Sequence, residues 1–503
     1  MNPTSLIRPE LLSLSPEHLR VLVPYFFVFI GCFVSVLLCV LKGARWTVLF
    51  TSLLSAVLVV ASSIFLFQSE TVVLFNGMMI SDSYANFFNI IFMASAAFTI
   101  LGSFRYLERE KVQHPEYYLL ILFAAMAMML MVSALDLIVV FISLEMMSLA
   151  VYVLVGFRRA DRKSNEASMK YFILGSAASA IFLYGVALLY GATLTTNIRG
   201  IFSFIQSHPE GMTTLFTLGF WLVLLGFLFK IAAVPFHMWM PDVYEGAPTP
   251  ITGFMTTGLK AAAFGVFVRV FISLGYGKGL SLVIQNHVHD ILWVSAALTM
   301  ALGNFVALMQ TNLKRMLAYS SIAHTGYLLV GIISGAGSEQ GYSPVILYLV
   351  AYSVMNIGAF TVLTMVSQKQ DSGLNLHDIS GLSNKHPWLA FSLALFMFSM
   401  AGIPPTVGFA AKYFLFYSAI QSHEIILVII SVLCSAVSVY YYLRVLVYMY
   451  MREGSEGDLT SQSSLGHICG PAFVVAFMVF VTVQVGVLPS WALMIAKKAV
   501  SSL

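Results

Sequence analysis

Residues Leu222 to Arg269 read LVLLGFLFKIAAVPFHMWMPDVYEGAPTPITGFMTTGLKAAAFGVFVR, and the rest of the chain is organised around them. Two long apolar segments each carry one lysine near the middle, Lys230 and Lys260. Between the lysines runs a segment rich in proline and aromatic residues, from Pro235 to Pro250. A lysine at the centre of a membrane helix costs roughly 2.5–3.5 kcal/mol on insertion scales. Two of them so close together need a function, and proton handling is the one their chemistry supports.

The composition around this stretch agrees. Of 503 residues, 59% are hydrophobic and only 10% are charged, and the mean hydropathy is +0.89. Soluble domains carry about 25% charged residues, so the bulk of this chain lies in lipid. The net charge of +4 is small and gives no reason to expect a nucleic-acid partner. Cys32, Cys39, Cys434 and Cys469 form no C-x-x-C pair, and three of them fall in apolar segments. No zinc, iron–sulfur or haem ligand set follows from them, and no glycine-rich phosphate loop is present. The expectation is a chain with no cofactor or metal of its own and no redox chemistry of its own. The first apolar stretch begins near Val21, behind Arg8, Glu10, Glu17 and Arg20, which reads as a retained helix and not a cleaved signal.

A membrane helix needs about 20 mostly apolar residues. That length marks about fourteen segments: 21–41, 46–67, 82–104, 116–134, 136–157, 168–192, 212–240, 249–275, 289–310, 316–336, 342–367, 388–420, 424–450 and 470–492. The fold class is therefore all-α, a polytopic membrane protein with residues 1–503 in a single transmembrane domain. The run 116–157 is continuous and is split at Ala134-Leu135-Asp136 because its length requires two crossings. Segments 212–240 and 388–420 are too long for one straight crossing. Each contains proline, Pro235 in one and Pro404-Pro405 in the other, which removes a backbone donor and clashes with the preceding turn. Both helices, the seventh and the twelfth, are predicted to break in mid-membrane.

Lysine and arginine in the connections set orientation. After odd-numbered segments stand Lys42, Arg45, Arg105, Arg109, Lys111, Arg158, Arg159, Arg162, Lys163, Lys314, Arg315, Lys369, Lys385 and Arg452. The other side has only Arg8, Arg20, Arg199, Lys278, Lys497 and Lys498. This places both termini on the outer, periplasmic side. The connections 368–387 and 451–469 are long enough for a surface helix but not a domain.

Setting aside loop and segment-end charges leaves Glu145, Lys230, Lys260 and Lys412. Intramembrane charges mark ion paths by default; the structural alternative is a static Glu145–Lys230 salt bridge with the other lysines snorkelling. Desolvation disfavours an ammonium and a nearby carboxylate favours it, so a buried lysine suits proton carriage. Glu145 is then the modulator of Lys230, Lys260 the middle relay and Lys412 the exit-side carrier. His324, in LAYSSIAHTGYLL, is a candidate connector because imidazole titrates near neutrality; a merely hydrogen-bonded helix histidine is the alternative. His237, two residues past Pro235, either lines a half-channel or caps freed carbonyls.

A repeat is visible in outline. Glu145 to Lys230 runs from a fifth to a broken seventh helix, and His324 to Lys412 from a tenth to a broken twelfth, with nearly equal spacing. Five helices is an odd number, so units of about 116–275 and 289–450 have opposite topology, a transporter plan. Glu166 and Lys170 form a favourable i,i+4 helical pair. Arg158 and Arg159 read as topology anchors. Asp136, Asp242, Glu245 and Asp378 sit at segment edges and are expected to be solvated, with Asp242 and Glu245 candidates to shape an access mouth.

The run KIAAVPFHMWMPDVYEGAPTPITGF at 230–254, followed by Lys260, resembles the proton-translocating, antiporter-type membrane subunits of respiratory complex I, the NADH–quinone oxidoreductase. ALMQTNLKRMLAYSSIAHTGYLL and AGIPPTVGFAAKYFLF resemble them too. PDVYEGAPTP is closer to the N-type branch (subunit 2) than to the L and M branches or to multisubunit sodium/proton antiporters. The resemblance covers nearly the whole chain from about residue 80; the first three helices are generic. It implies fourteen helices, two inverted five-helix repeats, and broken helices 7 and 12. Glu145 matches the family's fifth-helix glutamate, Lys230 its seventh-helix lysine, Lys260 its eighth-helix lysine and Lys412 its twelfth-helix lysine. NADH, FMN, iron–sulfur clusters and the quinone site would belong to partner subunits, with M and K as neighbours. The implied place is an energy-transducing membrane, the inner (plasma) membrane of a bacterium, and the implied role is one subunit of a proton-translocating enzyme.

Two other classes compete. A multisubunit Na⁺/H⁺ antiporter subunit would work from an ion gradient alone and would not purify with flavin and iron–sulfur proteins. Lysines in place of oxygen cages argue against Na⁺. A membrane scaffold would tolerate replacement of all four buried charges.

Overall fold

The computed structural model describes residues 15–41, 43–208, 212–276, 282–338, 340–453 and 469–503. Arg8, Glu10, Lys42 and Lys278, and most of the 451–469 connection, lie outside the described residues. In chain order the helices are α1 (Pro16–Cys39), α2 (Arg45–Leu66), α3 (Ser83–Glu110), α4 (Glu116–Ser133), α5 (Leu137–Val155), α6 (Arg162–Thr193), α7 (Ile198–Ser207), α8 (Thr214–Lys230), α9 (Trp239–Gly246), α10 (Thr249–Phe254), α11 (Lys260–Ser273), α12 (Leu282–Leu308), α13 (Leu313–Gly335), α14 (Ser343–Val366), α15 (Leu382–Lys385), α16 (Pro387–Ala401), α17 (Val407–Gln421), α18 (Ile425–Met451), α19 (Cys469–Val487) and α20 (Pro489–Val500). A short antiparallel hairpin, β1 (Val72–Leu74) with β2 (Met79–Ser81), precedes α3.

Every apolar segment read from the sequence coincides with a helix or a helix pair. Among the described residues, twelve helices are long and apolar enough to cross a membrane. The two proline-containing segments instead divide, one into α8 and α9 and the other into α16 and α17. α10 and α11 form one continuous span through a π turn at Met255–Leu259. The division between α4 and α5 falls where expected, and Asp136 makes it: its carboxylate accepts from the Ile138 amide at 2.8 Å and from the Thr196 hydroxyl at 2.7 Å. Asp136 is 4% exposed, so the expectation that it is solvated is corrected. A first-turn amide and a neighbouring loop satisfy it in place of water.

The helices sort by burial. The α10–α11 span, α13 and α14 are nearly wholly enclosed, whereas α1, α2, α18 and α19 expose most of their apolar side chains, Phe29, Phe50, Ile426 and Phe480 among them. The enclosed helices are the centre of the bundle and the exposed ones its lipid face. Gly303 and Gly326 bring α12 and α13 into backbone contact: a Cβ at Gly303 would lie 2.5 Å from the Ala323 amide nitrogen, and one at Gly326 2.8 Å from that of Met300. Small residues allow such close approach in membrane bundles.

The connections that follow the third, fifth, ninth and eleventh segments meet at one end of the bundle. Arg109 bonds the Ser367 hydroxyl at 2.8 Å. Arg158 and Lys314 both pair with Asp371, at 3.4 and 3.3 Å. Arg158 is 5% exposed and also pairs with Asp161 at 2.7 Å. Asp242 and Glu245 are correctly placed at an edge, but paired: Arg315 binds both, at 2.8 and 3.0 Å, and Lys170 bridges Glu166 and Asp242 at 2.8 Å each.

Candidate functional site: a chain of buried lysines around two broken helices

Both breaks are built the same way. α8 ends at Lys230, and the chain then places Ala232 in the left-handed region at φ +55°. The Ala233 amide reaches back to the Leu228 carbonyl and the Ala232 amide to that of Phe229, both at 3.0 Å. In the second break Gly402 has φ +89°, the Ile403 amide reaches the Phe398 carbonyl at 3.1 Å and the Gly402 amide that of Ser399 at 3.0 Å. Each is a Schellman closure, which satisfies helix-end carbonyls. Hydroxyls satisfy more of the freed backbone. Thr299 accepts from the Val234 amide and Ser295 donates to the Val234 carbonyl, each at 2.9 Å, and Thr325 donates to the Ile231 carbonyl at 2.9 Å. Irregular backbone survives at membrane depth only with such partners.

The lysines occupy different positions relative to the breaks. Lys230 is the last residue of α8, not near the middle of its helix, because the closure at Ala232 ends the helix before Pro235 is reached. Its ammonium donates to the Ser148 hydroxyl on α5 at 2.9 Å. Lys412 lies after its break, on α17, and reaches back to the end of α16. It donates to the Met400 and Ala401 carbonyls at 3.0 and 3.1 Å, and to the Ser435 hydroxyl at 2.9 Å. A cation at the negative end of a helix is favourably placed.

Lys260 follows the π turn and donates to the carbonyl and the hydroxyl of Ser321 on α13, the latter at 3.0 Å. π turns within α-helices occur often at functional sites. Lys230 and Lys260 line one enclosed cavity of about 20 Å³, walled by Tyr171, Trp239 and Tyr244. One water needs roughly 10–15 Å³, so the cavity has room for one.

His324, one turn from Ser321 on α13, bonds the Tyr348 hydroxyl through Nδ1 at 2.6 Å and the Tyr442 hydroxyl through Nε2 at 3.2 Å. Tyr442 also bonds the Ser320 hydroxyl. Two aromatic rings join the histidine to the lysines. Tyr352 lies 4.9 Å from the His324 ring and 4.7 Å from the Lys260 ammonium. Tyr327 lies 5.7 Å from the His324 ring and 5.3 Å from the Lys412 ammonium. The structure thus brings Lys230, Lys260, His324 and Lys412 into one buried series along α13.

Glu145 and His237 stand apart from that series. Glu145 is half-buried on the α5 face that exposes Ile142 and Leu149, and its Oε1 is enclosed with no hydrogen-bond partner among the described residues. It makes no ion pair with Lys230 among the described residues, so the static-bridge alternative is not what the structure contains. Ser148, one turn further along α5, takes the place opposite the ammonium. His237 is buried beside the first break, and its Nδ1 has no partner among the described residues. The sequence reading also missed Ser148, Ser321, Ser435 and the tyrosines. Spacing offered a signal for two of them, since Ser148 and Ser321 each lie three residues, one helical turn, from a singled-out residue.

Three comparisons bear on this geometry. The family model described as NADH:quinone oxidoreductase/Mrp antiporter, TM, matches residues 134–438. The curated NADH-quinone oxidoreductase subunit N of Trichlorobacter lovleyi is 46% identical over 434 residues, covering 86% of this chain and 86% of that protein. A chain of respiratory complex I from Thermus thermophilus superposes with a TM-score of 0.78 at 32% identity, covering 94% of this chain and 98% of that one. A chain of the Mrp complex from Dietzia superposes with a TM-score of 0.80 at 20% identity, over 96% of this chain and 97% of that one, which shows a shared fold. The broken helices that carry Lys230 and Lys412, and the span between them, fall inside the matched region, and this chain belongs to the NADH:quinone oxidoreductase/Mrp antiporter family of membrane subunits, in its NADH-quinone oxidoreductase subunit N branch.

Proposed function

We propose that this chain is a proton-translocating subunit of the membrane arm of an NADH-quinone oxidoreductase, and that Lys230, Lys260, His324 and Lys412 carry the proton in that order. The observation that carries this reading is the enclosed cavity shared by Lys230 and Lys260, continued by the Ser321 and His324 contacts towards Lys412. A proton leaving Lys230 crosses one water to Lys260. The Ser321 hydroxyl holds the receiving nitrogen in place, and His324, bonded on both sides, passes the proton between the Tyr352 and Tyr327 sides. Lys412 receives it beside the second break. Glu145 acts on Lys230 through its charge, without contact, and His237 lines the approach at the first break. Units 116–275 and 289–450 act as two inverted repeats, supported by the matching Schellman closures in α8 and α16.

NADH, FMN, the iron–sulfur clusters and quinone belong on this reading to other subunits, and redox energy reaches this chain through its neighbours. The exposed Ile142–Leu149 face of α5, with the half-buried Glu145 on it, fits coverage by an adjoining membrane subunit, with the M- and K-type subunits as neighbours. Both termini face the outer side of a bacterial inner membrane. The Na⁺/H⁺ antiporter reading has in its favour the low-identity fold likeness and the family model that the two classes share.

The test is the proton-to-electron ratio in membrane vesicles carrying Lys260→Ala, with assembly checked in parallel. Intact assembly with a lowered ratio places Lys260 on the path. An assembled complex with the wild-type ratio rules the relay out.

A further inference from the structure

One carboxylate outside the lysine series ties its helices together. Asp371 sits on a short turn, Lys369–Asp371, in the connection between α14 and α15, with its side chain 5% exposed. It accepts from the Thr249 hydroxyl at 2.8 Å and the Thr249 amide at 3.2 Å, and so caps the start of α10. It pairs with Lys314 on α13 at 3.3 Å and with Arg158 at 3.4 Å, and accepts from the Tyr106 hydroxyl of α3 at 3.1 Å. Lys314 also donates to the Ala247 carbonyl, just before α10, at 2.5 Å.

Three of these partners lie on or beside the helices that carry the site residues. Thr249 begins the span that bears Lys260. Lys314 precedes Ser321, the seat of Lys260, by seven residues, which is two turns on one face of α13. Arg158 follows by three residues the end of α5, the helix of Glu145 and Ser148. Asp371 itself adopts φ +54°. Aspartate is among the few residues with a side chain that visit this left-handed region, and here its carboxylate is held by Tyr106, Thr249, Arg158 and Lys314. Burial alone would raise the Asp371 carboxyl, but Lys314 and Arg158 outweigh it and hold it below its ordinary value, so the cap stays charged.

We infer that Asp371 is a positioning residue for proton transfer: it locks the starts of α10 and α13 in register with the end of α5, so that the Lys260 ammonium meets Ser321 and the shared Lys230 cavity. A misplacement of about 1 Å set up far from the chemistry can cost about a hundredfold in rate, and a slip between α10 and α13 would act directly on the Lys260–Ser321 contact. The inference rests on the relay reading given above.

The experiment compares proton-to-electron ratios and assembly in vesicles carrying wild type, Lys260→Ala, Asp371→Asn and Lys314→Met. Asparagine tolerates the left-handed backbone, so Asp371→Asn removes the charge with little backbone change. The expected result is assembled Asp371→Asn complex whose ratio falls towards that of Lys260→Ala; a purely structural role would lower abundance and leave the ratio of the surviving complex at the wild-type value. A wild-type ratio for Asp371→Asn beside a lowered one for Lys260→Ala overturns this inference alone. A wild-type ratio for Lys260→Ala overturns the relay and this inference with it. If Asp371→Asn does not assemble, Lys314→Met decides, a lowered ratio supporting the inference and a wild-type ratio overturning it. Failure of both variants to assemble shows the cluster to be structural only, and overturns it too.

Discussion

Replacing Asp82 by asparagine tests how the first three helices are fastened to the core. Asp82 and Arg269 form a two-pronged ion pair, each bond 2.8 Å, with side chains 0% and 1% exposed. The guanidinium lies 4.8 Å from the Tyr84 ring centroid, and the Tyr84 hydroxyl donates to the Gly265 carbonyl at 2.8 Å. Asp82 also caps α3 by accepting from the Ala85 amide at 2.7 Å. Asparagine keeps the capping oxygen but leaves a buried guanidinium without its counter-charge. Breaking a buried pair from one side costs about 3–5 kcal/mol, while alanine would add about 1 kcal/mol for the lost cap. At roughly 1.4 kcal/mol per factor of ten, opening of this region should rise by roughly two to four orders of magnitude. Hydrogen exchange of α3 and α11 peptides in the purified complex reads that opening directly. The double variant Asp82→Asn/Arg269→Met keeps the cap and removes both charges, and should recover most of the loss, because replacing both members of a buried pair is often neutral or stabilising. Exchange unchanged in the single variant, or equally fast in single and double, would refute the reasoning.

Two further substitutions address the relay without removing a lysine. A Cβ at Gly402 would lie 3.0 Å from Cδ and 3.4 Å from Nζ of Lys412, at a backbone φ of +89°. Gly402→Ala should therefore cost about 1–2 kcal/mol of stability and displace the ammonium from the Met400 and Ala401 carbonyls; dye-monitored proton uptake by the assembled complex should fall, and unchanged uptake would show that this seat is dispensable. Glu145→Gln keeps the shape of a side chain whose Oε1 makes no bond within the described chain. Stability should stay within about 0.5 kcal/mol of wild type while proton uptake falls; uptake equal to wild type removes Glu145 from the mechanism.

The membrane fold was legible because two of its signals are rare. Charges seldom lie deep in apolar segments, so Lys230, Lys260 and Lys412 stood out, and proline inside an over-long segment marked each break. The helix ends were not legible. Pro235 pointed to a break near itself, but α8 stops at Lys230 because the chain closes through a left-handed Ala232, a conformation no residue type there announces. The partners of the lysines were hidden for a different reason. Serine and tyrosine are ordinary in apolar helices, and only the contacts of α13 with α11, α14 and α18 reveal that Ser321, Tyr352 and Tyr442 surround Lys260 and His324. Asp136 misled in the opposite direction, and nothing in the sequence announced the burial of Arg158 and Asp371. They lie in polar connections that composition assigns to water, and they are buried because several connections meet over them.

The two broken helices also show why spacing alone misjudges equivalence. By sequence separation Lys230 and Lys412 look like counterparts, yet one ends the half-helix before its break and the other follows its break. The counterparts of Lys230 and Ile231 in the second break are Met400 and Ala401, and it is their carbonyls that Lys412 occupies. In the first break the Ile231 carbonyl is taken by the Thr325 hydroxyl, which leaves Lys230 free of its own helix end, held by Ser148 and open to the cavity it shares with Lys260. One lysine is seated on three acceptors at the negative end of a helix dipole, and the other on a single hydroxyl. The two lysines therefore hold their cations differently, and the difference follows from which side of the break each stands on.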